Sequence, residues 1–180
     1  MSLPAGYRIR ARHARDDAAL LGIENRAAAL FRDHGYPDIA DDPLADIAGL
    51  RRLFPGNDVW VAVGPGDAPV GYAVAGSLDG FLHLRELSVD PAHGRRGVGS
   101  SLVASVVAAA QDAGRAGVSL TTFRFVPFNR PFYERLGFRE LALADASPAM
   151  RAAFHREVPQ GIDAQDRLLM ANRFPAGNSS

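Results

Sequence analysis

The chain contains neither cysteine nor lysine. Without cysteine it has no disulfide, no thiol nucleophile and no cysteine-ligated zinc site. All 20 basic residues are arginine, and 20 acidic residues balance them to a formal net charge of zero. Because proteins that bind nucleic acid or anionic membranes usually carry excess positive charge, this balance predicts no nucleic-acid partner and no membrane surface.

Long apolar runs are missing as well. The sequence has no run of about 18 apolar residues, the length that a membrane-spanning helix needs, and no signal peptide is visible. The expected location is therefore the cytoplasm. What is present is typical of a globular protein: 180 residues, of which 47% are hydrophobic and 22% charged. We expect a single domain over residues 1–174 and a flexible tail over residues 175–180.

The order of apolar and helix-breaking residues predicts alternating strands and helices, and therefore an α/β fold. Strands are expected over residues 7–12, 59–63, 70–78, 81–89, 118–123, 139–143 and 167–174. Helices are expected from Asp16 or Asp17 through Phe31 to a stop near Gly35, from Asp42-Pro43 to Phe54, and over residues 97–113, 129–136 and 147–158. The turns Gly64–Asp67 and Asp79-Gly80 predict an antiparallel meander for the second to fourth strands.

A glycine loop separates the fourth strand from the longest helix, with the sequence Gly94-Arg95-Arg96-Gly97-Val98-Gly99-Ser100. A helix start presents unpaired backbone N–H groups and a partial positive charge, which suit a phosphate. Gly97 and Gly99 let a bulky anion approach the backbone, and the two arginines add charge. The loop therefore predicts a phosphorylated ligand.

The fourth strand changes its apolar phase before this loop. Leu82 and Leu84 share one face, whereas Leu87 and Val89 fall on the other. A slip by one residue predicts a β-bulge between Leu84 and Leu87, which would leave a backbone N–H for a ligand carbonyl. The alternative is an edge strand that is half buried on both faces.

Two blocks of the sequence carry a family resemblance: Leu84–Pro91 followed by the Gly94–Leu102 loop, and Asn129–Phe138. They are similar to the fourth strand with its pyrophosphate loop, and to a later coenzyme A block, of the GNAT superfamily of acetyl-CoA-dependent N-acetyltransferases. The resemblance covers about residues 7–174. It implies a mixed, mostly antiparallel sheet of about seven strands, flanked by helices and splayed between the fourth and fifth strands.

The loop departs from the family at one position and fits other phosphate-binding templates poorly. Gly94 stands where the family usually has Gln or Arg, so Arg95 or Arg96 would supply that charge. The Lys-Ser/Thr pair of a P-loop is absent, and Leu102 occupies the place of the third glycine of a dinucleotide fingerprint. Coenzyme A is therefore the expected ligand, and a nucleotide triphosphate or NAD is the rival.

The resemblance implies an N-acetyltransferase that uses acetyl-CoA as co-substrate. Transfer to the amine would be direct, in a ternary complex, since there is no thiol to form an acyl-enzyme. The Leu87 amide would stabilise the developing oxyanion. The coenzyme A-binding residues implied by the resemblance are Leu87, Ser88, Val89, Arg95, Arg96, Gly97, Val98, Gly99, Ser100, Asn129 and Tyr133.

Such a reaction needs a base, because an alkylamine has a pKa of about 10.4 and only about one molecule in a few thousand is neutral at pH 7. The obstacle is roughly 4–5 kcal/mol, which a positioned carboxylate reduces. The family often places this base on the fourth strand, at the position of Glu86. The alternative role of Glu86 is an ion pair with a neighbouring arginine such as Arg85.

Two residues of the second block have both a functional and a structural interpretation. Tyr133 matches the family's tyrosine that protonates the leaving thiolate, but Phe132, Tyr133, Leu136 and Phe138 could also form a core patch. Asn129 matches an asparagine that contacts coenzyme A, and it also stands where a helix N-cap belongs. Four residues apart, Asn129 and Tyr133 would share a helix face.

The acceptor half of the reaction is the least defined part of the sequence. The family commonly builds its acceptor pocket between the first two helices, where Phe31, His34, Tyr36, Asp38, Asp41 and Asp42 would suit a small cationic amine. The same acids fit a helix cap and a solvated loop. Trp60, Phe125 and Phe128 are either pocket walls or, as we expect, core residues.

Several partners and roles remain open at this point. The acceptor is expected to be a small-molecule or peptide amine, and a homodimer is a family-level expectation. The histidines His13, His34, His83, His93 and His155 show neither metal spacing nor a plausible serine partner, so we expect structural or surface roles and no metal. The alternative function is a non-catalytic acyl-CoA-binding or sensor domain.

Overall fold

The computed structural model describes residues 3–42, 44 and 46–175. Its strands are β1 Arg8–Ala11, β2 Asn57–Val63, β3 Pro69–Leu78, β4 Phe81–Val89, β5 Gly117–Phe123, β6 Arg139–Glu140 and β7 Arg167–Arg173. Its α-helices are α1 Asp17–Ala28, α2 Pro37–Asp41, α3 Ile47–Arg51, α4 Val98–Asp112, α5 Arg130–Arg135 and α6 Pro148–Arg156. Short 3-10 turns join several of them.

The strands form a seven-stranded sheet in the order β1-β2-β3-β4-β5-β7-β6. The pair β4–β5 is parallel, in a register from Leu82 opposite Val118 to Leu84 opposite Leu120, and β1–β2, β2–β3, β5–β7 and β6–β7 are antiparallel. β3 and β4 form a hairpin whose turn residues Asp79 and Gly80 both have positive φ, as a two-residue turn requires. This open, mixed, mostly antiparallel sheet with flanking helices confirms the predicted fold class.

The chain divides into two compact units, each with its own core. The first comprises residues 1–76 and 85–106, and the second residues 77–84 and 107–180. Leu20, Ile23, Leu50, Val61, Val63, Tyr72 and Val74 form the core of the first unit. Phe81, Ala146, Met150, Phe154, Leu169 and Ala171 form a core of the second. The single domain over residues 1–174 stays a prediction, and residues 176–180 of the predicted tail lie outside the described residues.

The start of α1 is fixed by ion pairs rather than by a side-chain cap. Asp16 stands at the N-cap, but its carboxylate binds Arg10, with Arg10 Nη1 2.7 Å from Oδ2. The next residue, Asp17, accepts from both Arg12 Nε and Arg51 Nε at 2.6 Å. Both aspartates are almost wholly buried, so these pairs tie β1 and α3 to the first turn of α1.

Replacement of Asp16 by Asn is expected to destabilise the protein in a pH-dependent way. The hydrogen-bonded Arg10 guanidinium lowers the pKa of Asp16 below its usual 3.8, against the opposing effect of burial. A lowered pKa means that the stabilisation is complete above about pH 4 and is lost as the pH falls through the folded-state pKa. Urea denaturation should show a deficit of about 2 kcal/mol at pH 7 that shrinks steadily below pH 4. A deficit independent of pH would contradict this account.

The segment between α1 and β2 differs from the prediction. The predicted helix start at Asp42-Pro43 is wrong for Asp42, which is the C-cap of α2, and Pro43 lies outside the described residues. α2 forms instead within the predicted loop, with Pro37 in its first turn, where the missing N–H costs nothing. α3 begins later than predicted because Asp46 is its N-cap and accepts from the Gly49 amide at 2.7 Å.

The predicted strand over residues 139–143 is also shorter than expected. β6 ends at Glu140, although the Leu141 amide still donates to the Leu169 carbonyl at 2.9 Å. Leu141 and Leu143 still pack against the core of the second unit, as the alternation of a strand predicts, but the regular pairing with β7 ends at Glu140.

Candidate active site

The glycine loop leads directly into the N-terminus of a 15-residue helix. Asp90 follows β4 and accepts from the Ala92 amide at 3.0 Å, which fixes a 3-10 turn over Pro91–His93. Gly97 has φ +80° and its carbonyl accepts from the Ser101 amide at 3.0 Å, so it opens α4. By helix geometry the amides of the following first turn lack intrahelical acceptors, which is the arrangement that binds an anion.

The two arginines of this loop differ in backbone and in partners. Arg95 has φ +55°, a left-handed conformation that is uncommon for a residue with a long side chain. Arg96 Nη1 donates to the Tyr7 hydroxyl at 3.3 Å, and that hydroxyl is 2.8 Å from His93 Nδ1. Both arginines are exposed. Exposed guanidinium groups beside a helix N-terminus fit a coenzyme A pyrophosphate, and either arginine could replace the side chain missing at Gly94.

The Glu86 carboxylate lies on β4, in the first unit, and is held by the residues that follow it. Its Oε1 accepts from the Leu87 amide at 2.9 Å and lies 3.1 Å from Ser88 Oγ. The Leu87 amide, predicted as the oxyanion donor, therefore binds Glu86 in this structure. Arg85, the predicted alternative partner of Glu86, donates from Nε to Asn57 Oδ1 at 2.9 Å. The predicted bulge around Glu86 stays a prediction.

Two further residues of this cluster, Glu24 and Tyr72, were not predicted from the sequence. Ser88 Oγ lies 2.8 Å from Oε2 of Glu24 on α1, and the Tyr72 hydroxyl of β3 donates to the same oxygen. Burial raises the pKa of Tyr72 well above its usual value, and the Glu24 and Glu86 carboxylates add to that effect, so Tyr72 remains a donor. The one sequence signal is that Glu24 stands four residues after the buried Leu20, on the apolar face of α1.

In the second unit, Asn129 and Tyr133 lie on one short helix. Asn129 is the N-cap of α5, but its side chain makes no capping hydrogen bond within the described residues. The Tyr133 amide donates to the Asn129 carbonyl at 3.1 Å. The Tyr133 ring makes edge contacts with Phe132 and with the buried Phe138, at centroid distances of 5.0 and 5.7 Å. The ring is therefore anchored on one side, while the residue as a whole is only partly buried.

The residues predicted for the acceptor pocket differ in burial and in their ion-pair partners. Tyr36 is buried, and Asp41 forms an ion pair with Arg32, which lowers the pKa of Asp41. In the second unit Phe125 is 69% exposed and Phe128 is 37% exposed. The expectation that these two phenylalanines pack in the core is wrong, because the segment after β5 carries them at the surface.

A second polar cluster is buried within the second unit. His83 on β4 is completely buried, with Nδ1 2.8 Å from Ser119 Oγ and Nε2 3.1 Å from both carboxylate oxygens of Glu157. Thr121 Oγ1 also donates to Glu157, at 2.5 Å. A Ser-His-Glu arrangement can activate a nucleophile, but Ser119 is completely buried and no substrate can reach it. The serine partner of His83, which the sequence did not reveal, therefore indicates a structural role.

His83→Leu is expected to lower the free energy of unfolding by about 2–4 kcal/mol, because it removes the His83 hydrogen bonds to the completely buried Ser119 and to Glu157. Chemical denaturation measures this loss. His155→Ala, at an exposed histidine of α6, is the matched control and should change stability by less than about 0.5 kcal/mol. Equal effects of the two substitutions would contradict a structural role for His83.

Two further observations concern the described residues only. They contain no group of three or more His, Asp or Glu residues placed to hold a metal ion. None of their helices is long and apolar enough to cross a membrane.

Comparison with known proteins gives a consistent set of relatives. The family model described as an acetyltransferase (GNAT) domain matches residues 55–140. A mycothiol acetyltransferase from Clavibacter sepedonicus is 35% identical over 132 residues, which are 68% of this chain and 42% of that protein. The chain thus spans about two fifths of the length of this curated relative.

Solved structures share the fold. The ribosomal-protein-S18-alanine N-acetyltransferase of Escherichia coli has a TM-score of 0.68 at 18% identity, over 97% of this chain and 99% of that one. The PaiA N-acetyltransferase of Thermoplasma acidophilum, solved with coenzyme A, has a TM-score of 0.70 at 14% identity, over 97% of this chain and all of that one. At such identities the likeness concerns the architecture alone.

Proposed function

The chain belongs to the GNAT superfamily of acetyltransferases, and from this we propose that it transfers an acetyl group from acetyl-CoA to a primary amine. The observation that carries the proposal is the position of Glu86, a carboxylate held on β4 by Leu87 and Ser88, shortly before the glycine loop that opens α4. A base and an anion-binding helix start are the two parts that such a transfer requires.

In this proposal the donor is held by backbone groups of β4 and of the glycine loop. The amides that follow Gly97, with Arg95 and Arg96, bind the pyrophosphate, and the backbone of Leu87–Val89 pairs with the pantetheine arm as an added strand would. The positive φ of Gly97 supports this role, because a side chain there would be strained and would obstruct the anion. In the second unit Asn129 contributes its side-chain amide, which makes no capping hydrogen bond within the described residues.

Glu86 acts as the general base in this proposal. It removes a proton from the ammonium group of the acceptor, directly or through a water, and leaves the nitrogen lone pair free to attack the acetyl carbonyl. The Leu87 amide now bound to Glu86 is then released to the developing oxyanion, because a protonated carboxyl is a weaker acceptor than a carboxylate. Tyr133 protonates the departing thiolate, with its ring held by Phe132 and Phe138.

We propose the acceptor by its chemical class, which is a small-molecule or peptide amine. The Clavibacter relative is named for mycothiol and the Escherichia coli structure for a ribosomal-protein alanine, so a mycothiol-type amine and an N-terminal alanine peptide belong among the candidates. The cytoplasmic location and the homodimer predicted from the sequence are part of the same proposal.

The experiment is free-thiol release from acetyl-CoA across a panel of amines that includes amino acids, polyamines, aminoglycosides, a lysine peptide and the two candidates above. Thiol release that depends on one class of amine supports the enzyme. Binding of coenzyme A without thiol release for any acceptor would favour the alternative, a non-catalytic acyl-CoA sensor. Preference for ATP or NAD over coenzyme A in a binding titration would contradict both.

A further inference from the structure

A single serine hydroxyl bridges two carboxylates in the first unit. Ser88 Oγ lies 2.8 Å from Glu24 Oε2 and 3.1 Å from Glu86 Oε1. The Tyr72 hydroxyl also donates to Glu24, and the Leu87 amide donates to Glu86 at 2.9 Å. These four contacts contain three hydrogens when both carboxylates are ionised, one each on the tyrosine, the serine and the amide. Ser88 has one hydrogen for its two carboxylate contacts. Both contacts are therefore full hydrogen bonds only when one of the two carboxylates carries a proton and donates it to Ser88 Oγ.

We propose that Glu24 shares, through Ser88, the proton that Glu86 takes from the acceptor amine, so that Glu24 is a positioning residue for the base. The inference rests on the proposed function, in which Glu86 is that base. It assigns a role to Ser88 besides its backbone contact with the cofactor, and to Glu24, which lies 62 positions before Glu86 in the chain.

The proton can be followed from atom to atom. An N–H bond of the acceptor ammonium breaks with its electron pair left on nitrogen, and an O–H bond forms on Glu86. Glu86 then donates to Ser88 Oγ while the hydrogen of Ser88 points to Glu24 Oε2. The proton stays on Glu86 and is shared with Glu24 through this bridge, so the Leu87 amide is still released to the developing oxyanion. No other reactant is needed.

The charged groups around the bridge fit this role. Tyr72 is completely buried and fixes Glu24 from β3. On α1 the nearest cation in sequence is Arg26, whose Nη2 pairs with Asp90 at 2.7 Å, and on β4 Arg85 donates to Asn57. When both carboxylates are ionised they compete for the single hydrogen of Ser88, so a proton that arrives on Glu86 allows both contacts of Ser88 to be hydrogen bonds.

Carbon-13 NMR of the side-chain carboxyls tests this coupling without any acceptor. The sequence has five glutamates, at positions 24, 86, 134, 140 and 157, so protein labelled at the glutamate δ-carbon gives five signals. Single Glu→Gln variants assign them. In the wild-type protein the Glu86 signal should titrate in two coupled steps, whereas in Glu24→Gln it should titrate in one step at a pH lower by about one unit.

Kinetics with the acceptor found by thiol release provide the second readout. Glu24→Gln should shift the acidic limb of the kcat/KM–pH profile in the same direction and lower kcat about tenfold. Ser88→Ala, which removes the bridge but keeps both charges, should lower kcat with a smaller shift of that limb. Asp145→Asn, which removes an exposed carboxylate from the segment between β6 and α6, is the matched control and should change neither.

The outcomes separate this inference from the proposed function. An identical titration of Glu86 with and without Glu24 overturns the inference, even when the wild-type protein acetylates an amine. A wild-type protein that shows the coupled titration but releases no thiol supports the shared proton and contradicts the enzyme.

Discussion

Glu86→Gln is expected to lower kcat by about 100- to 1000-fold while the affinity for acetyl-CoA stays unchanged. The amide keeps the shape of the side chain and can still accept from the Leu87 amide and from Ser88, which bind the carboxylate at 2.9 and 3.1 Å. It cannot take a proton from the acceptor ammonium, so only the small neutral fraction of the amine reacts. Steady-state kinetics over pH 6–10 measure the effect, and calorimetry measures acetyl-CoA binding.

The pH profile distinguishes a lost base from a disturbed strand. Loss of the base removes the acidic limb that belongs to Glu86, and the rate of the variant follows the ionisation of the amine alone. Glu140→Gln, at an exposed glutamate of β6 that pairs with Arg124, is the matched control and should retain the wild-type profile. A Glu86→Gln enzyme with wild-type turnover and an unchanged profile would rule Glu86 out as the base.

Gly97→Val is expected to weaken acetyl-CoA binding by about tenfold or more. Gly97 has φ +80° at the start of α4, where a residue with a side chain costs about 1–2 kcal/mol and a β-branched one costs more. The loop must then shift, and the first amides of α4 no longer point at the pyrophosphate. Isothermal titration with acetyl-CoA measures the change directly.

Two variants separate strain at this loop from strain in general. Gly56→Val places the same side chain at φ +73° in open space remote in sequence from the loop, so it should lower stability and leave affinity unchanged. Arg95→Gly relieves the left-handed conformation at φ +55° and removes the arginine side chain, so a loss of affinity in this variant comes from the missing side chain and not from added strain. A Gly97→Val protein that binds acetyl-CoA as tightly as wild type would exclude the loop as the pyrophosphate site.

Local signals in the sequence predicted the elements that form the proposed cofactor site. β4 has the predicted bounds, Phe81–Val89, because a two-residue turn and a proline delimit an apolar run. The long helix was placed to within one residue at each end, because Gly97 and Gly114 mark its ends with positive φ. The region between α1 and β2 was predicted poorly, since three aspartates compete there as caps and only the tertiary contacts select Asp46.

The polar partners within the site could not be predicted in the same way. Ser88 and Glu24 are 64 residues apart, and their contact depends on how α1 packs on the sheet. His83 meets Ser119 because β4 and β5 pair in parallel with these residues opposite each other, a register that neither strand encodes alone. Local patterns therefore predicted the backbone part of the site, whereas the side-chain network depends on tertiary packing.

The central claim is that this protein transfers an acetyl group from acetyl-CoA directly to the amine of a separate acceptor. The most direct measurement follows carbon-13-labelled acetyl-CoA by mass spectrometry in the presence of the amine that supports thiol release. The account predicts one labelled amide on the acceptor for each thiol released, with no label retained on the protein. Label found on the protein, or thiol released without a labelled amide, would contradict direct transfer to an amine.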